Sequence, residues 1–138
     1  DASLALMRHG RLTELPDPAA LPEDHLIEDA RFAFPGLPDA ITLAIAFGVF
    51  THLPHADLAT ALTNLRRFPN LRALLFTVFL SDSPGPTRQP DGVVTHSDRP
   101  PYHVTTAQTE ATIRAAGFSP TRTPALLPRG QVLWTATP

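Results

Sequence analysis

The sequence predicts a single α/β domain over residues 1–138, with a largely parallel sheet, helices on both faces and an antiparallel strand pair at the C-terminal end. Three observations predict it. Apolar runs too short for buried helices alternate with segments of helical periodicity, the pattern of strand–helix–strand units. Proline is abundant, at 16 of 138 residues, and most of it falls between the apolar segments, where it shapes loops. The last two apolar segments are joined by a short connection, which suits antiparallel neighbours.

The elements follow in order. Leu4, Met7, Arg8, Arg11, Leu12 and Leu15 recur at helical spacing, with Ser3 as N-cap and Pro16 as a stop. Pro16 to Asp24 is a proline-rich loop. Leu26 and Ile27, just before Glu28 and Asp29, read as a short strand. Ala30 to Asp39 is a connecting loop with Pro35, Gly36 and Pro38. Ile41 to Phe47 (ITLAIAF) is a nearly continuous apolar run, which suits a strand covered on both faces. A helix follows from Pro54, with Leu58, Ala61, Leu62, Leu65 and Phe68 on one face and Asp57 in its first turn. Leu71 to Leu80 (LRALLFTVFL) is a second apolar strand. The 24 residues from Ser81 to Val104 are polar and proline-rich; a stretch of that length is a binding loop or is disordered. Thr105 with Gln108 forms a capping box, and Gly117 ends that helix. Phe118 to Thr123 and Gln131 to Thr137 are the closing strands.

Composition narrows the function. A hydrophobic content of 43% with 17% charged residues belongs to a globular chain. The net charge of -2 leaves no electrostatic footprint for nucleic acid or an anionic membrane. All eleven basic residues are Arg, which excludes Schiff-base chemistry and a P-loop lysine. Cys is absent, and with it disulfides, thiolate metal sites and a Cys nucleophile. No apolar run reaches the roughly 18 residues of a membrane span, and the expected location is the cytoplasm. Residue 1 is Asp, so the chain reads as a fragment or a processed product.

Ligands of open α/β sheets bind beyond the carboxyl ends of the strands. That rule selects Asp1 to Ser3, Glu28 to Ala30, Phe47 to Leu53, and Ser81 onward. None holds a GxGxxG or GxxxxGK(S/T) loop, so the chain has no phosphate cradle. Asp1 and Asp29 are carboxylates at strand ends, suited to ribose hydroxyls or an adenine amino group, or else to capping a loop. His52, His55 and Asp57 have a spacing found in metal sites, but no further ligand accompanies them, and no metal is expected. Tyr102 and His103 follow the long loop, where they can meet a substrate as donor or base or serve the fold alone. No GxSxG elbow supports a hydrolase triad.

LIEDARFAFPGLPDAITLAIAFGVFTHLP, at residues 26–54, resembles class I S-adenosylmethionine-dependent methyltransferases, from their third strand through an acid–small dipeptide to the fourth strand and its VFTHL turn. LATALTNLRRFPNLRALLFTVFL is similar to the helix, tight turn and fifth strand of that family. YHVTTAQTEATIRAAGF resembles the helix before its final strand pair, and Asp1-Ala2-Ser3 the D-x-S that ends its second strand. The resemblance covers nearly the whole chain. It implies a Rossmann-like three-layer sandwich with an antiparallel C-terminal strand, lacking the first strand and its glycine-rich loop. Asp1 would hold the ribose hydroxyls. Asp29, with the N–H of Ala30, would face the adenine. Phe47, Gly48 and Val49 would line the methionine end of the cofactor. His52, in the Thr51-His52-Leu53 turn, and Tyr102 with His103 would bear on the substrate. Thr42 stands where many members carry Asp, and Phe68-Pro69-Asn70 replaces a Pro-Gly-Gly turn.

The expected function is therefore methyl transfer from S-adenosylmethionine to a small-molecule acceptor, with no dedicated catalytic residue named. The alternative is a truncated or degenerate domain acting through protein contacts, an oligomer or partner segment completing its sheet. A nucleotide-dependent reductase ranks lower, because it does not explain the VFTHL and AGF segments.

Overall fold

The computed structural model describes residues 3–138, so Asp1 lies outside the described residues. The chain divides into two compact units, Asp1–Leu37 and Pro38–Pro138.

In the first unit, α1 spans Leu4–Glu14. It starts where predicted: the Ser3 hydroxyl accepts the Leu6 N–H at 3.3 Å, satisfying one of the free donors of the first turn. Arg8 pairs with Glu23 at 2.6 Å, and the Arg11 guanidinium donates to the Leu21 carbonyl. These contacts tie α1 to two short 3-10 turns, Pro18–Ala20 and Glu23–His25. Leu26 and Ile27 do not form the expected strand. Leu26 has extended backbone angles, but no neighbouring strand pairs with this segment among the described residues. Extended dihedrals without a ladder partner do not make a strand.

The second unit holds the sheet. Its elements are β1 (Leu43–Ala46), α2 (His55–Leu65), β2 (Ala73–Leu80), β3 (Thr87–Arg88), β4 (Val94–Thr95), β5 (His103–Val104), α3 (Thr106–Ala115), β6 (Ser119–Leu126) and β7 (Val132–Thr137). The main order is β1-β2-β7-β6. β1 runs parallel to β2, β7 runs antiparallel to both β2 and β6, and β5 adds a short parallel pairing beside the end of β2. Three long strands thus share one direction, and the C-terminal strand is reversed between two of them. This is the mixed α/β architecture the sequence predicts.

The core sits around β2. Leu74, Phe76, Thr77, Val78 and Phe79 are all buried, because this central strand is covered on both faces. Opposite Phe76 lies Trp134 of β7, also buried. From α2, the stripe Leu58, Ala61, Leu62 and Leu65 packs inward at the predicted helical spacing, and Ile113 does the same from α3. Each buried Leu or Ile among them contributes roughly 1.5–3 kcal/mol on burial. The capping box of α3 forms as predicted: the Gln108 N–H meets the Thr105 hydroxyl, and the Gln108 side chain accepts the Thr105 N–H, both at 3.0 Å.

Two expectations change here. β1 is not covered on both faces, since Leu43 is 51% and Ile45 60% exposed. It is the end of the sheet order, so one edge and the Leu43–Ile45 side stay open. The Ser81–Val104 segment is neither disordered nor structureless. β3 and β4 pair within it, and β5 docks on β2. Its anchor is His103, 4% exposed, whose Nε2 donates to the Ser83 carbonyl at 2.9 Å. The His103 Nδ1 lies 2.9 Å from the buried Thr95 hydroxyl. Gln89, also buried, donates to the same Thr95 oxygen at 3.0 Å.

Candidate functional site

The carboxyl ends of β1 and β2 point the same way, and β7 begins beside the end of β2. A turn over residues 47–53 leaves β1 there. Gly48 has φ +70°, a left-handed angle that favours glycine. Both sides of this residue are held. Its N–H donates to the Thr77 hydroxyl at 2.8 Å, and its carbonyl accepts the Thr51 hydroxyl at 2.7 Å. Thr77 in turn donates to Gln131 Oε1 at 2.6 Å. Thr51 and Thr77 are fully buried. Beside this clamp the surface is open. A Cβ placed on Gly48 would meet nothing within 4 Å, and Phe47 and Val49 are 53% and 39% exposed. The arrangement presents a fixed peptide and two apolar side chains to solvent.

Tyr102 joins the same network through the main chain, its N–H donating to the Thr51 carbonyl at 2.7 Å. Gly48, Thr51 and Tyr102 are therefore brought together, although 51 residues separate Thr51 from Tyr102 in sequence. His52 is exposed on the turn, its N–H bonded to the Val49 carbonyl. His103 has both ring nitrogens engaged within the 81–104 segment, so its imidazole anchors that segment. His55 does not join His52: its Nε2 lies 2.8 Å from the Thr112 hydroxyl of α3. The 81–104 segment also carries an open cleft of about 330 Å³ between Pro84, Gly85 and Pro86 on one side and His96, Asp98 and Arg99 on the other. The Ser97 hydroxyl donates to the Pro84 carbonyl at 2.7 Å and braces the two stretches.

In the first unit, Asp29 closes a loop on itself. Its Oδ1 accepts the Arg31 N–H at 2.9 Å and its Oδ2 the Phe34 N–H at 2.7 Å. Partial burial raises the carboxyl pKa, but the backbone donors of Phe34, Arg31 and Ala33 outweigh it and hold the pKa below 3.8. Ala30 beside Asp29 is exposed. Phe32 and Phe34 both take left-handed angles, φ +53° and +50°. Such angles cost a bulky residue on the order of 1–2 kcal/mol, which the bonds to Asp29 help to offset.

Thr77 and Gln131 are absent from the candidates read in the sequence, and Thr51 appears there only as part of the Thr51-His52-Leu53 turn. Thr77 did leave a signal, as the one polar residue inside the otherwise apolar ALLFTVFL. Gln131 left none, because its partner Thr77 lies 54 residues away along the chain.

No family profile and no curated protein matches the sequence. Solved structures do match the fold, which is that of class I S-adenosylmethionine-dependent methyltransferases. The methyltransferase CalO6 superposes with a TM-score of 0.59 at 16% identity, over 96% of this chain and 46% of its own. A Nostoc punctiforme protein, provisionally named an O-methyltransferase, gives 0.58 at 18% identity, over 83% of this chain and 36% of its own. The 1,6-didemethyltoxoflavin-N1-methyltransferase of Burkholderia thailandensis, solved with its acceptor and S-adenosylhomocysteine, gives 0.54 at 23% identity, over 91% and 58%. The chain spans less than two thirds of the length of each.

Proposed function

We propose that this chain is part of an S-adenosylmethionine-dependent methyltransferase acting on a small-molecule acceptor. The observation that carries the reading is the clamped turn at Gly48: an oriented peptide with open space at its Cα, flanked by exposed Phe47 and Val49, at the carboxyl end of β1. A cofactor with a short aliphatic methionine chain and a polar amino-acid end fits such a surface. The fold supports it, and the Burkholderia enzyme of the same fold holds S-adenosylhomocysteine.

On this reading, residues 1–138 run from the end of the domain's second strand to its last. Asp1 takes the ribose hydroxyls, and Asp29 with the Ala30 N–H takes the adenine. Phe47, Gly48 and Val49 flank the methionine end. His52 and Tyr102 meet the acceptor, and His103 serves them by holding the segment that carries Tyr102. The bound cofactor supplies a sulfonium methyl group open to direct displacement. Such a reaction gains from alignment, and proximity with orientation accounts for roughly 7–11 kcal/mol of comparable barriers. The chain's part is to bind and orient, so no side chain is assigned a proton-transfer role. A net charge of -2 favours a small acceptor over a polyanion.

Isothermal titration with S-adenosylhomocysteine tests the reading, on this chain and on any longer chain its gene encodes. We expect saturable one-to-one binding, tighter in a chain that adds a glycine-rich loop upstream. Absence of binding by every form would overturn it.

A further inference from the structure

We propose that Thr77 and Gln131 are positioning residues, which through a relay of hydrogen bonds hold the Gly48 peptide in the orientation a ligand at this turn requires. The proposal rests on the cofactor reading above and assigns residues outside it.

The geometry fixes the direction of every proton. An amide N–H can only donate, so Gly48 donates to Thr77 Oγ1 at 2.8 Å. An amide oxygen can only accept, so the Thr77 hydroxyl proton goes to Gln131 Oε1 at 2.6 Å. Donor, hydroxyl and acceptor thus form one head-to-tail chain, in which each bond polarises the next. It spans three parts of the fold: the turn after β1, the interior of β2 and the residue before β7. The hydroxyl at position 77 is fully buried in a strand whose other buried members are Leu and Phe with Val78. Valine would fill the same volume and suit a strand as well. What a hydroxyl adds there is the grip on Gly48.

That grip matters because of what Gly48 is. At φ +70° with no Cβ, this residue has wide torsional freedom of its own. A swinging peptide would have to be ordered at the moment of binding, which weakens affinity. Thr51 restrains the carbonyl side and Thr77 the N–H side, so the ordering is completed on folding. Gln131 completes the relay, and its Nε2 has no hydrogen-bond partner among the described residues.

The test uses whichever chain binds S-adenosylhomocysteine in the titration above, as wild type, Thr77→Val, Thr77→Ser and Gln131→Leu. Two quantities are read: the exchange rate of the Gly48 amide by NMR, and the Kd for S-adenosylhomocysteine. Thr77→Val is expected to speed Gly48 exchange and to raise Kd, each by about tenfold. Thr77→Ser, which keeps the hydroxyl, is expected to return both to within about threefold of wild type. A folded Thr77→Val with unchanged exchange, or with faster exchange and unchanged Kd, overturns the proposal. If Thr77→Val does not fold, Gln131→Leu decides. Faster Gly48 exchange and weaker binding then support the relay, and wild-type values for either overturn it. If no wild-type form binds S-adenosylhomocysteine in that titration, while Thr77→Val in residues 1–138 still frees the Gly48 amide, the cofactor reading has failed, and the ligand role of the relay with it.

Discussion

His55 shows how one side chain makes stability depend on pH. It occupies the first position of α2, where an imidazolium would face the positive end of the helix. Burial pushes its pKa down, and a hydrogen bond to the Gln108 carbonyl raises it in part, leaving it below the ordinary 6.5. The unfolded chain therefore binds this proton more readily than the folded one. The neutral ring's contribution is intact above about pH 6.5, and is lost as pH falls from there to the folded-state value. Asp29 acts in a separate window, below its ordinary 3.8, where protonation removes the loop's acceptor. We expect the thermal midpoint, followed by circular dichroism, to drop between pH 7 and pH 5. A His55→Asn variant should flatten that drop, and an equal slope in both proteins would contradict the assignment. At this scale the sequence was informative about chemistry and silent about partners. His55 reads as a metal-ligand candidate beside His52, yet its ring contacts Thr112 on another helix.

At the scale of elements, local signals did well where the element is stabilised locally. The box formed by Thr105 and Gln108 is written within four residues, and α3 starts on it. Thr105→Ala should destabilise the protein by about 1 kcal/mol, measured as a lower urea midpoint with an unchanged m-value. No change in midpoint would mean that packing alone holds the first turn. Local signals failed where an element depends on a neighbour. Leu26 and Ile27 have strand-like composition, and Leu26 has extended backbone angles, but the segment has no ladder partner among the described residues. ITLAIAF was legible as a strand; that Leu43 and Ile45 stand open was not, because an apolar run does not say which of its faces is covered. The 81–104 segment is the opposite case. Its composition suggests a loop, and its order comes from buried polar side chains, His103, Thr95 and Gln89, that bond to one another.

Across the molecule, burial is unevenly shared. Among the described residues, none before Phe50 is buried, and the core lies wholly within the second unit. Among its described residues, the first unit is held by local turns, the exposed Arg8–Glu23 ion pair and the loop around Asp29. Exposed pairs of that kind are worth little. Hydrogen exchange followed by mass spectrometry should therefore find Ala73–Leu80 and Val132–Thr137 protected at least about a hundredfold more than Leu4–Glu14. Comparable protection in α1 would show that it draws stability from contacts beyond its own unit.

The sequence by itself determined the class of fold, the three α-helices and the four strands β1, β2, β6 and β7. Those features follow from periodicity, caps and short motifs, each carried within a few neighbouring residues. Only the tertiary structure decided that β7 lies between β2 and β6, that the 81–104 segment is folded, and that Thr77 and Gln131 reach Gly48. Each of these joins residues distant in the chain. A hydroxyl's choice of partner is set by which strands lie side by side, and no local pattern records that.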